Sequence, residues 1–122
     1  MMQSERVERR RFPRYQVDEG VLATAKHVLG PIQDISLGGM SFEYYQEAGP
    51  AVMNGHIGIM HPALDFWLDH IPCRVVNDHL VTTDFFAISA ARKRRCVAFL
   101  DLTPEQQLQL ADFIQHSSVA PA

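Results

Sequence analysis

Apolar and polar positions alternate in short runs over most of this 122-residue chain, and Gly, Pro, Asn and Asp separate the runs. That spacing is the pattern of an all-β domain. Strands are predicted near Tyr15–Val17 with Val21–Ala25, Val28–Ser36, Gly39–Tyr44, Met53–Met60, Phe66–Asp78, Thr82–Ile88 and Arg95–Asp101. In the clearest of them Met40, Phe42 and Tyr44 project to one side and Ser41, Glu43 and Tyr45 to the other, as in a sheet with one buried face. Strands this short and numerous need two packed sheets or a closed barrel to bury their apolar sides. The expected architecture is therefore mainly all-β: a small β-barrel over residues 15–102.

The pattern changes at both ends. Thr103-Pro104-Glu105-Gln106 supplies a capping hydroxyl, a proline at the first helical position, an acid in the first turn and a glutamine three residues after the cap. A helix over 103–116 is predicted, with Leu108, Ala111 and Ile114, flanked by Leu110 and Phe113, packing on the barrel and closing one end. Residues 117–122 carry no pattern and are expected to fray. Residues 1–14 have few apolar side chains and no sustained period, so they are expected to form a flexible arm. Pro13 pushes Phe12 out of the helical region, which displays the arginines along an extended or turning segment.

Composition bounds the picture: 47% hydrophobic and 20% charged residues describe one small domain. Folding at this length buries roughly two thirds of the surface, enough for one core and not for an interdomain cleft. No run of about 18 apolar residues exists, and the N-terminus is charged where a signal peptide would be apolar, so membrane insertion and export are not expected and a cytoplasmic location is. Cys73 and Cys96 form no C-x-x-C pair and are expected to be reduced and structural.

The net charge of −3 conceals an asymmetry. Residues 1–14 hold five arginines (Arg6, Arg9, Arg10, Arg11, Arg14) against Glu5 and Glu8, a local +3, and the rest of the chain carries −6. An acidic body with a basic arm argues against a general DNA- or RNA-binding surface and for a local anion site served by the arm.

Catalytic chemistry finds little support. His27, His56, His61, His70, His79 and His116 form no H-E-x-x-H or comparable ligand spacing, so no metal site is expected. Ser36 stands in no G-x-S-x-G elbow, and neither a nucleophile with its base nor a convincing carboxylate pair is visible.

Two segments carry recognition chemistry instead. In Arg9-Arg10-Arg11-Phe12-Pro13-Arg14, each guanidinium offers a planar fork of donors suited to phosphate oxygens or to O6 and N7 of guanine, and it stacks on purines. A solvated basic tail is the plainer reading of the same residues. In Asp34-Ile35-Ser36-Leu37-Gly38-Gly39, Asp34 and Ser36 are expected to leave one face of a strand while Ile35 and Leu37 enter the core. A carboxylate there can accept from N1–H and N2–H of guanine. Gly38 and Gly39 give a turn or bulge that a ligand can approach closely; an ordinary β-turn is the plainer alternative.

An arginine arm followed some 20 residues later by Asp-x-Ser-x-x-Gly resembles the PilZ domain, a bacterial receptor for cyclic di-GMP. The family signature Arg-x-x-x-Arg is matched by Arg10 and Arg14, and Asp/Asn-x-Ser-x-x-Gly by Asp34, Ser36 and Gly39. The likeness covers about residues 9–115 and implies a six-stranded barrel with a C-terminal helix, joined here through Val97-Ala98-Phe99-Leu100-Asp101-Leu102. It implies binding without catalysis. Arg10 and Arg14 would clamp phosphates and a guanine, Asp34 would read a guanine edge, and Ser36, Gly38 and Gly39 would line the platform. Arg9 and Arg11 would assist.

The family binds its ligand as a monomer or an intercalated dimer, and both stay open for this chain, expected as a monomer or weak dimer. Ordering of the arm would signal to an effector protein in motility, exopolysaccharide or virulence control, through the new arm surface or apolar residues around Phe85-Phe86. A PilZ-like adaptor that binds no nucleotide is the alternative. Cys96 stands where the family commonly has glycine; it is expected to lie away from the ligand motifs and to bear on strand packing.

Overall fold

The computed structural model describes residues 12–25, 28–46, 54–83 and 91–121. Its elements are β1 (Tyr15–Val17), β2 (Leu22–Ala25), β3 (Val28–Ile35), β4 (Gly39–Gln46), β5 (Asn54–His61), β6 (Phe66–Thr83), β7 (Ala91–Phe99), the helix α1 (Pro104–Ser117) and β8 (Ser118–Pro121), with one 3-10 turn at Pro62–Leu64. Strands run antiparallel in the order β2-β5-β6-β7-β4-β3, and a β2–β3 pairing closes them into the barrel expected from the pattern, with the six strands that the resemblance implies. β1 pairs with the end of β3, and β8 pairs with the outer side of β1.

Period two explains the core. Met40, Phe42 and Tyr44 of β4 are buried as expected, and they meet Ile32 and Ile35 of β3, Ile57 and Ile59 of β5, Leu68 and Ile71 of β6, and Val97 of β7. On the opposite side of β4, Tyr45 is exposed. Ser41 is an exception: it shares that outer side yet is only 2% exposed.

The capping box forms as predicted: Thr103 N–H donates to Gln106 Oε1 and Gln106 N–H to Thr103 Oγ1, both at 3.0 Å. The buried stripe of α1 is Leu110, Phe113, Ile114 and Ser117. Phe113 stacks on Phe66 at 4.3 Å, so the helix packs on the barrel. Leu108, expected on that stripe, is 74% exposed. The 100° turn per residue puts it on the far side of a stripe centred on Leu110, Phe113 and Ile114.

Three further expectations need correction. The break predicted after Asp78 does not exist: β6 continues to Thr83 through bulges at Val75/Asn77 and Leu80/Thr82. Asn77, Asp78 and His79 interrupt the apolar run, but Asp78 turns inward to meet Arg95 and Tyr44. β7 likewise starts at Ala91 rather than Arg95, because the run Arg92-Lys93-Arg94-Arg95 alternates between two carboxylates. Arg92 and Arg94 face Glu43 at 3.7 and 2.8 Å, while Lys93 and Arg95 face Asp78 at 3.3 and 2.8 Å.

The tail expected to fray is strand β8. Its backbone pairs with β1 in the register Tyr15↔Pro121, Gln16↔Ala120 and Val17↔Ser118, hydrogen bonding that a side-chain pattern cannot reveal. The remainder of the predicted strand Thr82–Ile88, and Phe85 and Phe86 with it, lies outside the described residues.

Candidate ligand-binding site

The site begins with backbone pairing. Tyr15 and Gln16 of β1 lie opposite Ile35 and Asp34 of β3, so the residue immediately before β1, Arg14, is held at the end of the motif strand. Its Nη1 stands 3.5 Å from Asp34 Oδ1, with the two side chains partly exposed. One arginine of the arm motif and the acid of the strand motif are thus brought together. Arg9, Arg10 and Arg11 lie outside the described residues.

The other motif residues build a turn. Strand β3 ends at Ile35, and Ser36 is buried rather than displayed beside Asp34. Its Oγ accepts from the N–H of Gly38 at 3.1 Å and of Gly39 at 3.2 Å, and its own N–H donates to the Gly39 carbonyl at 2.8 Å. A hydroxyl one atom from its Cβ can close such a loop on its own backbone. Leu37, expected in the core, sits on the turn's outside at 37% exposure, because strand alternation stops at Ile35.

Close approach explains both glycines, backbone at Gly39 and the exposed Phe12 ring at Gly38, and neither has a positive φ. A Cβ on Gly38 would lie 2.7 Å from the Phe12 ring, and one on Gly39 would run into the Val97 carbonyl oxygen of β7. The Phe12 ring therefore sits on the turn. Beside that contact, Phe12, Pro13, Tyr15, Leu37, Ala111, Ile114 and Gln115 line an open, mostly apolar groove of about 400 Å³ between the arm, the turn and α1.

Across the sheet, Asp34 pairs with Ser41 of β4, and Ser41 with Cys96 of β7. This corrects the expectation that Cys96 is remote from the ligand motifs: register, invisible in the linear sequence, makes it their neighbour. Burial pushes the Cys96 thiol above its ordinary pKa, with smaller opposing effects from the charges of Arg14 and Arg94, which lower it, and of Asp34 and Asp78, which raise it. A thiol held protonated this way is a weak nucleophile.

Sequence reading missed the buried polar cluster inside the barrel. Asp78 Oδ2 accepts from Tyr44 Oη at 2.6 Å and from Arg95 Nε at 2.9 Å, and the Arg95 guanidinium stacks 4.8 Å above the Tyr44 ring. The available signal was the period-two run Arg92-Lys93-Arg94-Arg95, which places two cations on each face of a strand.

Strand β8 also bears on the site, since it covers the free edge of the three-residue strand that holds Arg14. Deleting residues 118–122 is expected to lower the affinity for an anionic ligand of this site severalfold. The measurement is a titration of the truncated chain beside the full one, and equal affinities would show that β3 alone fixes the arm.

Among the described residues no group of three or more His, Cys, Asp or Glu side chains is placed to hold a metal ion, and no helix is long and apolar enough to cross a membrane. No curated protein matches the chain by sequence. Among solved structures, the PilZ domain of YcgR from Escherichia coli with c-di-GMP superimposes with a TM-score of 0.64 at 21% identity, over 88% of this chain and 89% of that one. The longer YcgR structure in complex with c-di-GMP gives 0.64 at 20% identity, over 88% of this chain, which spans 45% of that one. The K. pneumonia MrkH–c-di-GMP complex gives 0.64 at 18%, over 87% of this chain and 51% of that one. At these identities the likeness establishes the fold. The family model for the PilZ domain matches residues 8–116, which take in the whole barrel and nearly all of the helix, and the chain belongs to the PilZ domain family.

Proposed function

We propose that this domain is a non-catalytic receptor for cyclic di-GMP. The observation that supports this most directly is the meeting of Arg14 and Asp34 at 3.5 Å, an arginine fork and a carboxylate contributed by two segments 20 residues apart. The family membership and the c-di-GMP named in the similar structures support the choice of ligand.

In this reading Arg10 and Arg14 clamp the phosphates and a guanine, with Arg9 and Arg11 assisting from the arm. Asp34 accepts from N1–H and N2–H of a guanine. Ser36, Gly38 and Gly39 give the platform its shape. Ligand binding orders the arm over the turn and remodels the groove between Phe12, Leu37 and α1, and that change is presented to an effector protein in the cytoplasm. DNA or RNA is a poor ligand for a body whose charge outside the arm is −6.

Calorimetric titration with cyclic di-GMP and with cyclic di-AMP tests the reading. The guanine ligand is expected to bind in the micromolar range, and cyclic di-AMP, which lacks both donors for Asp34, at least about tenfold more weakly, since the loss of even one charge-assisted hydrogen bond is worth that much. No heat with cyclic di-GMP at tens of micromolar would leave an adaptor that acts by protein contact alone; equal affinities would remove Asp34 from its role.

A further inference from the structure

The outer face of β4 and β7 next to the Arg14–Asp34 pair holds polar groups that the two motifs do not use. Directly paired residues of antiparallel strands project to the same side, so Asp34, Ser41 and Cys96 form one row across β3, β4 and β7. Two residues along β7, Arg94 projects to that side as well, opposite Glu43. Neighbouring strands lie roughly 4.8 Å apart, so the span from Asp34 to the β7 column is about 10 Å, within the size of a dinucleotide.

Three features mark this face as incomplete without a ligand. Ser41 is 2% exposed, and its Oγ has no hydrogen-bond partner among the described residues. Leaving a buried hydroxyl unpaired is unfavourable, and native proteins do it rarely without a reason. Arg94 Nε is likewise buried without a hydrogen bond among the described residues, and Asp34 Oδ1 has only the 3.5 Å ion pair with Arg14. Finally, Glu43 is shared by Arg92 at 3.7 Å and Arg94 at 2.8 Å, so two guanidiniums face one carboxylate and the patch has a surplus positive charge. The register sets Arg94 two residues from Cys96 on the same side of β7, and Arg14 reaches the row through its 3.5 Å pair with Asp34.

We propose that Ser41 and Arg94 extend the ligand site beyond the two motifs, Arg94 as a further cation for a phosphate and Ser41 as a hydroxyl partner for the same ligand. The inference rests on the cyclic di-GMP reading. Arg94 Nη2 donates to Glu43 Oε2 at 2.8 Å, and the remaining N–H groups of this partly exposed guanidinium are what it offers to the ligand.

The test is calorimetric titration of cyclic di-GMP into the unaltered chain, Arg94→Ala, Arg94→Lys and Ser41→Ala, with the urea midpoint measured for each. Arg94→Ala is expected to lose about tenfold or more in affinity, Arg94→Lys to recover part of it because the charge returns without the fork, and Ser41→Ala to lose severalfold, all at near-constant midpoints. Binding within twofold of the unaltered chain in both alanine variants, while Arg14→Ala loses affinity, overturns the inference and leaves the receptor reading standing. Affinity lost in step with a falling midpoint in both Arg94 variants also overturns it, since the pair then acts through strand packing. No heat from the unaltered chain overturns the receptor reading and this inference with it.

Discussion

Replacing Asp78 by alanine is expected to destabilise the barrel by about 3–5 kcal/mol, read as a lower urea midpoint. The carboxylate accepts from Tyr44 at 2.6 Å and Arg95 at 2.9 Å and lies 3.3 Å from Lys93. Arg95 is 4% exposed, so alanine would take away the anion facing a guanidinium that water barely reaches. A single replacement therefore costs far more than the pair contributes. The paired substitution Asp78→Leu with Arg95→Met, which removes both charges and keeps the volume, should recover most of the loss. A loss below about 1 kcal/mol for Asp78→Ala would mean that the cluster is effectively solvated.

The same cluster sets two limits on the pH range of the fold. Burial alone would raise the Asp78 pKa, but hydrogen bonds from Tyr44 and Arg95 and the Arg95 charge outweigh it and hold the carboxyl below its ordinary value. A group whose pKa is lower folded than unfolded contributes stability that is complete above the unfolded value, about 3.9, and lost as pH falls through the folded one. Tyr44 behaves in the opposite sense. Burial first, and then its hydrogen bond to Asp78, pushes its pKa up to about 12. The folded state favours the protonated phenol, so this contribution is complete below about 10 and lost as pH rises from there through 12. Asp78→Asn should flatten the acid limb of the stability curve and leave an alkaline limb governed by Tyr44.

These residues also show where the linear pattern stops being informative. Met40, Phe42 and Tyr44 announce a half-buried strand because burial repeats every second residue, and Thr103 and Gln106 announce a helix start because both partners lie within four positions. Asp78 and the Arg92–Arg95 run mislead, because their polarity is answered by partners on other strands, more than 14 residues away. Strand β8 is silent for a similar reason: backbone pairing with β1 forms it, and Ser118-Val119-Ala120-Pro121 shows no period.

The site divides in the same way. Asp34 and Arg14 were legible as chemistry, and the short strand β1 explains how they meet. Ser36, read as a displayed hydroxyl, is turned into its own loop, since β3 ends one residue earlier than the pattern suggested. Gly38 and Gly39 were read as leaving room for a ligand, whereas in the structure the space is taken by the Phe12 ring and the Val97 carbonyl. Cys96 and Ser41 gained their place beside the ligand motifs through register alone.

Arg14→Ala is expected to show the reverse of Asp78→Ala: a binding loss with little change in stability. The Arg14–Asp34 pair is partly exposed, 38% and 23%, and a pair of that kind contributes at most about 1 kcal/mol to the fold. Toward cyclic di-GMP, the same guanidinium would make charge-assisted hydrogen bonds, each about 1.5–3 kcal/mol, so affinity should fall roughly 10- to 150-fold. Arg14→Lys should recover part of this, because an ammonium keeps the charge but cannot present two parallel donors. Asp34→Asn separates the two partners of the pair. It leaves Arg14 in place and exchanges one acceptor oxygen for a donor, so it should penalise the guanine ligand and leave cyclic di-AMP nearly unaffected. Calorimetric affinities and urea midpoints on the same samples decide the matter. If Arg14→Ala binds within twofold of the unaltered chain, the ion pair at 3.5 Å is a brace for strand β1 and not half of a clamp.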